Sequence, residues 1–167
     1  MILIAAVNNN WGIGKDNDLL YHIPEDMKFF RSKTKDNIII VGRKTLESFP
    51  GGEPLKNRIN IVITRNKDYD AKGGIVCTDV KELKTSLNPY TDKEVYICGG
   101  EQIYKQFLPY CHTALITKVY DDKACEKYMP NLDKEENWVL SEKSEDYTDN
   151  GLSFCFCTYT NNSPKNL

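Results

Sequence analysis

The side chain with the strongest claim on chemistry is Asp26, in the run Ile23-Pro24-Glu25-Asp26-Met27-Lys28-Phe29-Phe30. Pro24 suits the first turn of a helix, where its missing N–H is not needed. On a helix starting there, at about 100° per residue, Ile23, Met27 and Phe30 share one face and Asp26 projects between Phe29 and Phe30. A carboxylate on an apolar face is costly unless something binds it. In a cleft that excludes water its pKa rises toward neutrality. There it can hold a cyclic amidine, as in a 2-amino-4-oxo-pterin, through two hydrogen bonds, as a carboxylate holds a guanidinium. An acid in the first turn is also what the helix dipole favours, and these residues alone leave both readings open.

Two strand-to-helix corners come next. Val95-Tyr96-Ile97-Cys98 runs into Gly99-Gly100 and a helix from Glu101, so the backbone can approach a ligand closely and free N–H groups can face a phosphate. At Ile40-Val41-Gly42-Arg43-Lys44-Thr45 a strand, a glycine, two cations and a hydroxyl converge on a short helix. The spacing is not that of a P-loop, and Gly12-Ile13-Gly14 does not complete a dinucleotide fingerprint because position 17 is Asn. Two such corners suit a pyrophosphate. Arg43 and Arg65 are placed to grip a further 2′-phosphate, which would select NADPH over NADH. Taken singly, a Gly-Gly pair is also a plain tight turn, and a lone cation is also a solvated charge.

The polar, glycine-bearing segment from Asn8 to Tyr21 joins an apolar strand to the Asp26 helix. Long loops of this kind are disordered or functional, often as lids.

The elements that must position these residues alternate along the chain. Strands are predicted at Ile2–Val7, Asn37–Val41, Arg58–Thr64, Gly74–Cys77, Glu94–Cys98, Thr113–Tyr120, Trp138–Glu142 and Leu152–Tyr159. Helices are predicted at Pro24–Ser32, Lys44–Ser48, Asp79–Leu87 and Glu101–Leu108. Early helices between strands imply parallel pairing through crossovers, and three final strands without a helix imply an antiparallel edge. The expectation is a three-layer α/β/α domain over 1–160, with a flexible tail over 161–167.

The 167 residues are 40% hydrophobic and 28% charged, an ordinary soluble balance, with net charge −2. That argues against a general grip on nucleic acid. No apolar run approaches the roughly 20 residues that span a bilayer, and the apolar N-terminus reads as a strand rather than a signal peptide. Six cysteines without C-x-x-C spacing are expected to be reduced thiols in a cytoplasmic protein. His22 and His112 stand outside any ligand pattern, so no metal is expected.

Together the motifs resemble dihydrofolate reductases of the bacterial type. The resemblance runs over most of the chain: Ile4-Ala5-Ala6; Gly12-Ile13-Gly14; Ile23-Pro24-Glu25-Asp26-Met27-x-x-Phe30; Val41-Gly42-Arg43-Lys44-Thr45-x-Glu47-Ser48; Arg58-x-Asn60; Gly99-Gly100-x-x-Ile103-Tyr104; and Phe107-Leu108-Pro109. It implies an eight-stranded, mostly parallel sheet with four helices. It also implies a monomer that reduces 7,8-dihydrofolate with NADPH in one-carbon metabolism, with hydride going to C6 and a proton to N5. By the same resemblance the catalytic residues would be Asp26, which anchors the pterin and assists protonation, Thr117, which supports it, and Tyr21. Tyr21 stands at the lid in the place of the family's Trp that helps hold a water near the substrate. Ile4, Ala5, Met27, Phe30, Arg31, Phe49, Leu55, Arg58, Cys98 and Tyr104 would complete the substrate site, with Arg58 on a substrate carboxylate. Ala6, Ile13, Gly14, Leu19, Gly42, Arg43, Lys44, Thr45, Thr64, Arg65, Thr78, Gly99, Gly100, Glu101, Gln102, Ile103 and Tyr104 would hold the cofactor.

The chain departs from the family's pattern at three places. Leu20-Tyr21 stands where Pro-Trp is usual, Cys98 where Ile or Val is common, and Cys125-Glu126-Lys127 where a lid-bracing Gly-Asp-Thr is common. The alternatives are a riboflavin-pathway reductase of similar fold and a non-catalytic NADP- or pterin-binding protein. Retention of Asp26, Thr117 and Arg58 argues against both.

Overall fold

The computed structural model describes the whole chain, Met1–Leu167. Its strands are β1 (Ile2–Val7), β2 (Gly12–Lys15), β3 (Asp18–Leu19), β4 (Ile38–Gly42), β5 (Ile59–Ile63), β6 (Ile75–Cys77), β7 (Val95–Ile97), β8 (Thr113–Val119), β9 (Lys127–Tyr128), β10 (Trp138–Lys143), β11 (Tyr147–Asp149) and β12 (Leu152–Asn161). The helices are α1 (Pro24–Thr34), α2 (Arg43–Ser48), α3 (Val80–Leu87) and α4 (Glu101–Phe107).

The central strands read as unbroken β-branched runs because both their faces are covered. Ile38, Ile39, Ile40 and Val41 of β4 are all at 0% exposure. Alternate residues of these strands enter different apolar clusters. Leu3, Ile38, Ile40 and Ile61 pack with Leu83 of α3 and Ile103 and Phe107 of α4. Ile4 and Ile39 pack with Phe29 and Phe30 of α1, while Val41 and Val62 pack with Leu46 of α2. Two helices therefore lie on each face, which makes the three layers.

The main sheet runs β10-β12-β8-β1-β7-β4-β5-β6. These are the eight predicted strands, and β11 adds a short ninth by pairing with β12. Every pair from β8 to β6 is parallel. The expected antiparallel edge of three strands is present: β12 pairs antiparallel with both β8 and β10, and β8 pairs parallel with β1 on its other side. β8 arrives by a helical crossover, after α4, which suits that parallel pairing, whereas β11 and β12 form a hairpin.

The Asn8–Tyr21 segment differs from an open loop. Strands β2 and β3 pair as a hairpin, Gly14 with Leu19 and Lys15 with Asp18, and β9 adds a third strand. Asp16 and Asn17 at the tip have φ of 53° and 58°. Positive φ at both central residues is what a two-residue hairpin turn requires. The expected tail also starts differently. Asn161 belongs to β12 and is buried, its amide donating to the Cys111 carbonyl at 2.9 Å, and the Lys165 N–H reaches the Pro109 carbonyl at 2.8 Å.

Asp79 caps α3, its carboxylate accepting the Glu82 N–H at 2.8 Å. Asp79→Ala is expected to cost about 1 kcal/mol of stability. Urea unfolding should show a lower midpoint with an unchanged slope.

Candidate functional site

The Asp26 side chain comes off the first turn of α1, just after Pro24, and lies half-buried against β8. The buried Thr117 hydroxyl donates to Asp26 Oδ1 at 2.6 Å, a charge-assisted distance. Burial pushes the Asp26 carboxyl above the ordinary aspartate value of 3.8, and the Thr117 hydrogen bond partly opposes this. Thr117 pairs in register with Ala6 of β1. It also stands two residues along from Leu115, so both face the side of the sheet that α1 covers.

On that side the structure brings together Ile4, Phe30, Phe49, Leu55 and Cys98 in one apolar cluster with Ile39 and Tyr96. The buried Tyr104 hydroxyl donates to the Ile4 carbonyl at 2.8 Å, tying α4 to β1. Its phenol is held well above its usual range, first by burial and then by the nearby Cys98 and Asp26. Burial raises the Cys98 thiol too, against the charge of Arg58.

Arg58 closes the cluster. Its Nε donates to Thr34 Oγ1 at 2.8 Å, its Nη1 to the Lys56 carbonyl at 3.3 Å, and its guanidinium lies 5.8 Å from the Phe30 ring centre. No carboxylate pairs with it. Burial lowers its pKa, and the neighbouring Arg31 adds to that. Two cations near each other without a paired acid are chemically suited to receive a carboxylate.

Asn60, the last residue of the Arg58-x-Asn60 motif, holds this corner. Buried in β5, it accepts from the Leu55 N–H at 2.9 Å and donates to the carbonyls of Leu55 at 2.9 Å and Arg58 at 3.1 Å. An Asn inside Ile59-Asn60-Ile61-Val62-Ile63 is the signal that points to it, because a polar group there must be satisfied. Buried Thr34 is a second residue that holds the corner, with no local sequence signal for its bond to Arg58.

The two glycine corners meet. Gly42 N–H donates to the Gly99 carbonyl at 2.8 Å, and the Gly99–Gly100 peptide is cis. A Cβ on Gly99, whose φ is +106°, would stand 3.1 Å from the Tyr104 ring, so only glycine fits. A Cβ on Gly42 would meet Ile103 at 3.1 Å, and one on Gly100 would meet Thr45 Oγ1 at 3.4 Å. Lys44 and Arg65 are exposed and unpaired, whereas Arg43 bonds Glu47 at 2.8 Å along its own helix. Thr64 Oγ1 accepts from the Asn66 N–H at 3.2 Å, which leaves its own hydrogen free to donate. Thr78 is engaged by Glu82, its hydroxyl donating at 2.9 Å. Glu101 accepts the Tyr128 N–H at 3.2 Å, so it ties α4 to β9, and Gln102 beside it is exposed.

Other expected residues stand apart from the cluster. Met27 is 43% exposed and Leu19 54% exposed, and Arg31 is exposed at the rim. Gly14 is buried and Ile13 half-buried in β2, and Ala5 is half-buried in β1. The Tyr21 ring is buried with Leu20, Ile23, Val119 and Phe154, and its hydroxyl donates to Asp121 Oδ2 at 2.6 Å rather than toward Asp26. No three His, Cys, Asp or Glu side chains cluster closely enough to hold a metal ion.

A mixed three-layer sheet, with a desolvated carboxylate and two glycine corners gathered at the C-terminal ends of its parallel strands, defines a small α/β oxidoreductase. The family model described as dihydrofolate reductase matches residues 1–161. The chain belongs to the dihydrofolate reductase family. The dihydrofolate reductase of Bacillus subtilis is 38% identical over 159 residues, covering 93% of this chain and 91% of that protein. The dihydrofolate reductase of Neisseria meningitidis is 37% identical over 158 residues, covering 94% and 95%. Among solved structures, dihydrofolate reductase from Enterococcus faecalis complexed with NADP(H) and RAB-propyl superposes with a TM-score of 0.85 at 30% identity, covering 96% of this chain and 95% of that one.

The raised pKa of Asp26 has a stability consequence. The folded state holds this proton more tightly than the unfolded state, so stability contributed by the neutral carboxyl is lost as pH rises from 3.8 through the raised value. Asp26→Asn is therefore expected to be more stable than the parent at neutral pH. The gain should vanish below 3.8, where both states carry a neutral carboxyl, and urea unfolding across that pH range checks it.

Proposed function

We propose that the protein reduces 7,8-dihydrofolate to tetrahydrofolate with NADPH, and that the desolvated Asp26 carboxylate anchors the pterin. The single observation that carries the role of Asp26 is its 2.6 Å hydrogen bond from Thr117 beside an apolar cluster. With one oxygen held by Thr117, the other is available to the pterin N3 and 2-amino edge, and Thr117 Oγ1 can accept from the same amino group. Holding that edge fixes which face of the ring meets the hydride and raises the basicity of N5, which takes its proton through water. Ile4, Phe30, Phe49 and Leu55 exclude solvent from the bound ring system, and Arg58 receives a carboxylate of the substrate's tail.

The donor set fits NADPH. Thr45 and Thr64 supply hydroxyls and the unpaired Lys44 and Arg65 supply charge for its phosphates, while Gly42, Gly99 and Gly100 let the backbone come close. Arg43 holds Glu47 through Nη1 alone, which leaves its other N–H groups to join them. When bound, NADPH supplies the hydride that reduces C6. Ala6, Ile13, Gly14 and Leu19 would border it from β1 and the lid hairpin. Its enclosure is completed by the turn from Gly99 to Tyr104, with Glu101, Gln102 and Ile103, and by Thr78 at the sheet's far edge.

The protein is further read as a cytoplasmic monomer. Six free cysteines, among them Cys155 and Cys157 with sulfurs 3.7 Å apart and unbonded, support a reducing compartment. No helix is long and apolar enough to cross a membrane.

Loss of reduced-nicotinamide absorbance on mixing the protein with NADPH and dihydrofolate tests the reaction directly, and no loss would refute it. Asp26→Asn should keep the fold and slow turnover at neutral pH by on the order of 10² or more. Part of that rate should return at acid pH, where solvent protonates the substrate. Arg58→Leu should raise the KM for dihydrofolate with little change in kcat, since it removes binding remote from the reacting atoms.

A further inference from the structure

Helix α1 carries the key carboxylate, yet its own start is poorly held. Its N-cap is Ile23, which has no side chain able to accept from the first turn. The first turn is instead fastened from outside. Thr117 of β8 bonds Asp26 at 2.6 Å, and just past the end of the same strand Asp121 accepts from the Tyr21 hydroxyl, also at 2.6 Å. A weaker third contact joins the Glu25 N–H to Asp149 at 3.4 Å.

The loop that holds Tyr21 is itself well anchored. The Asp121 carboxylate also accepts the Lys123 N–H at 3.1 Å, and the Asp121 carbonyl accepts the Asn9 N–H at 3.1 Å. Asn8 donates to the Lys123 carbonyl at 2.9 Å, and Lys123 Nζ donates to the Leu20 carbonyl at 3.2 Å. Both ends of the lid segment, Asn8–Asn9 and Leu20–Tyr21, thus converge on Asp121–Lys123. The Tyr21 ring is buried, and its hydroxyl is held in the part-buried hydrogen bond to Asp121.

We propose that Asp121 is a positioning residue for the reduction: through the Tyr21 hydroxyl it fixes the entry of α1, and with Thr117 it sets where the Asp26 carboxylate stands. β8 and its extension then form a two-point clamp on the stretch from Tyr21 to Asp26. The direction of the ionisation shifts agrees with the geometry. The Tyr21 hydrogen bond holds the Asp121 carboxyl below its ordinary value, while burial and then Asp121 raise the Tyr21 phenol.

The inference rests on the reading of Asp26 as the substrate-anchoring carboxylate, so Asp26→Asn is measured beside it. The experiment follows single-turnover reduction of dihydrofolate by NADPH in Tyr21→Phe, Asp121→Leu, the double variant and Asp121→Asn, after thermal melts show which are folded. Tyr21→Phe deletes one oxygen and keeps the buried ring, so it reads the bond even where Asp121→Leu disturbs the loop. Each single change should slow the step about three- to tenfold, the size of one lost hydrogen bond at the reacting geometry. The double variant should be no slower than the slower single. Asp121→Asn keeps an acceptor for the tyrosine and should stay within about twofold of the parent. Rates unchanged in Tyr21→Phe, or losses that multiply in the double variant, overturn the proposal. A slow Asp26→Asn beside an unaffected Tyr21→Phe discards the clamp alone. An unimpaired Asp26→Asn discards the anchoring role and the clamp with it.

Discussion

The site is organised around a carboxylate kept out of water. Desolvation of Asp26 opposes folding at neutral pH, and the one direct protein contact that offsets it is the Thr117 hydroxyl. A ligand that brings N–H groups to the remaining lone pairs would offset that desolvation further. Much of the surrounding structure keeps that arrangement dry and still. Strands β1 and β4 supply apolar side chains from their α1-facing sides, Tyr104 ties α4 to the carbonyl of Ile4, and Asn60 fixes the corner from which Arg58 reaches Phe30.

Parallel strands make this convergence possible. Residues far apart in the chain arrive at one end of the sheet because β1, β4, β7 and β8 all point the same way. Gly42 and Gly99 meet there through a single backbone hydrogen bond of 2.8 Å, so the two corners proposed to hold the cofactor form one rigid unit. The carboxylate is held from β8 on the other side of β1.

Much of this was legible in the residues. The central strands follow from runs of Ile and Val, the last ones from short apolar or alternating segments, and the four helices from their spacing and turns, with boundaries off by a residue or two. Asp26 announced itself as an acid among aromatics. The short strands β2, β3 and β9 did not, because Gly-Ile-Gly-Lys has neither alternation nor β-branched density, and its partner Lys127–Tyr128 lies over a hundred residues away. The bond between Tyr21 and Asp121 spans 100 residues and has no local signature at either end. The order beyond Leu152–Tyr159 was hidden for a similar reason: Asn161 looks like linker composition until the Cys111 carbonyl is placed beside it. What local pattern cannot reveal are contacts whose only cause is tertiary placement.

The unpaired guanidinium of Arg58, with Arg31 close by, has an effect beyond binding strength. The chain as a whole is acidic, with a net charge of −2. Arg58 and Arg31 nevertheless stand as neighbouring cations, and neither is in an ion pair with a protein carboxylate. With Arg58 in the role proposed for it, such a pair would favour the approach of an anionic molecule by its carboxylate end, an effect that fades as counter-ions screen it within a Debye length of about 10 Å. Ionic strength would then act on the frequency of encounter more than on the hydrogen bonds that the partly buried Asp26 makes.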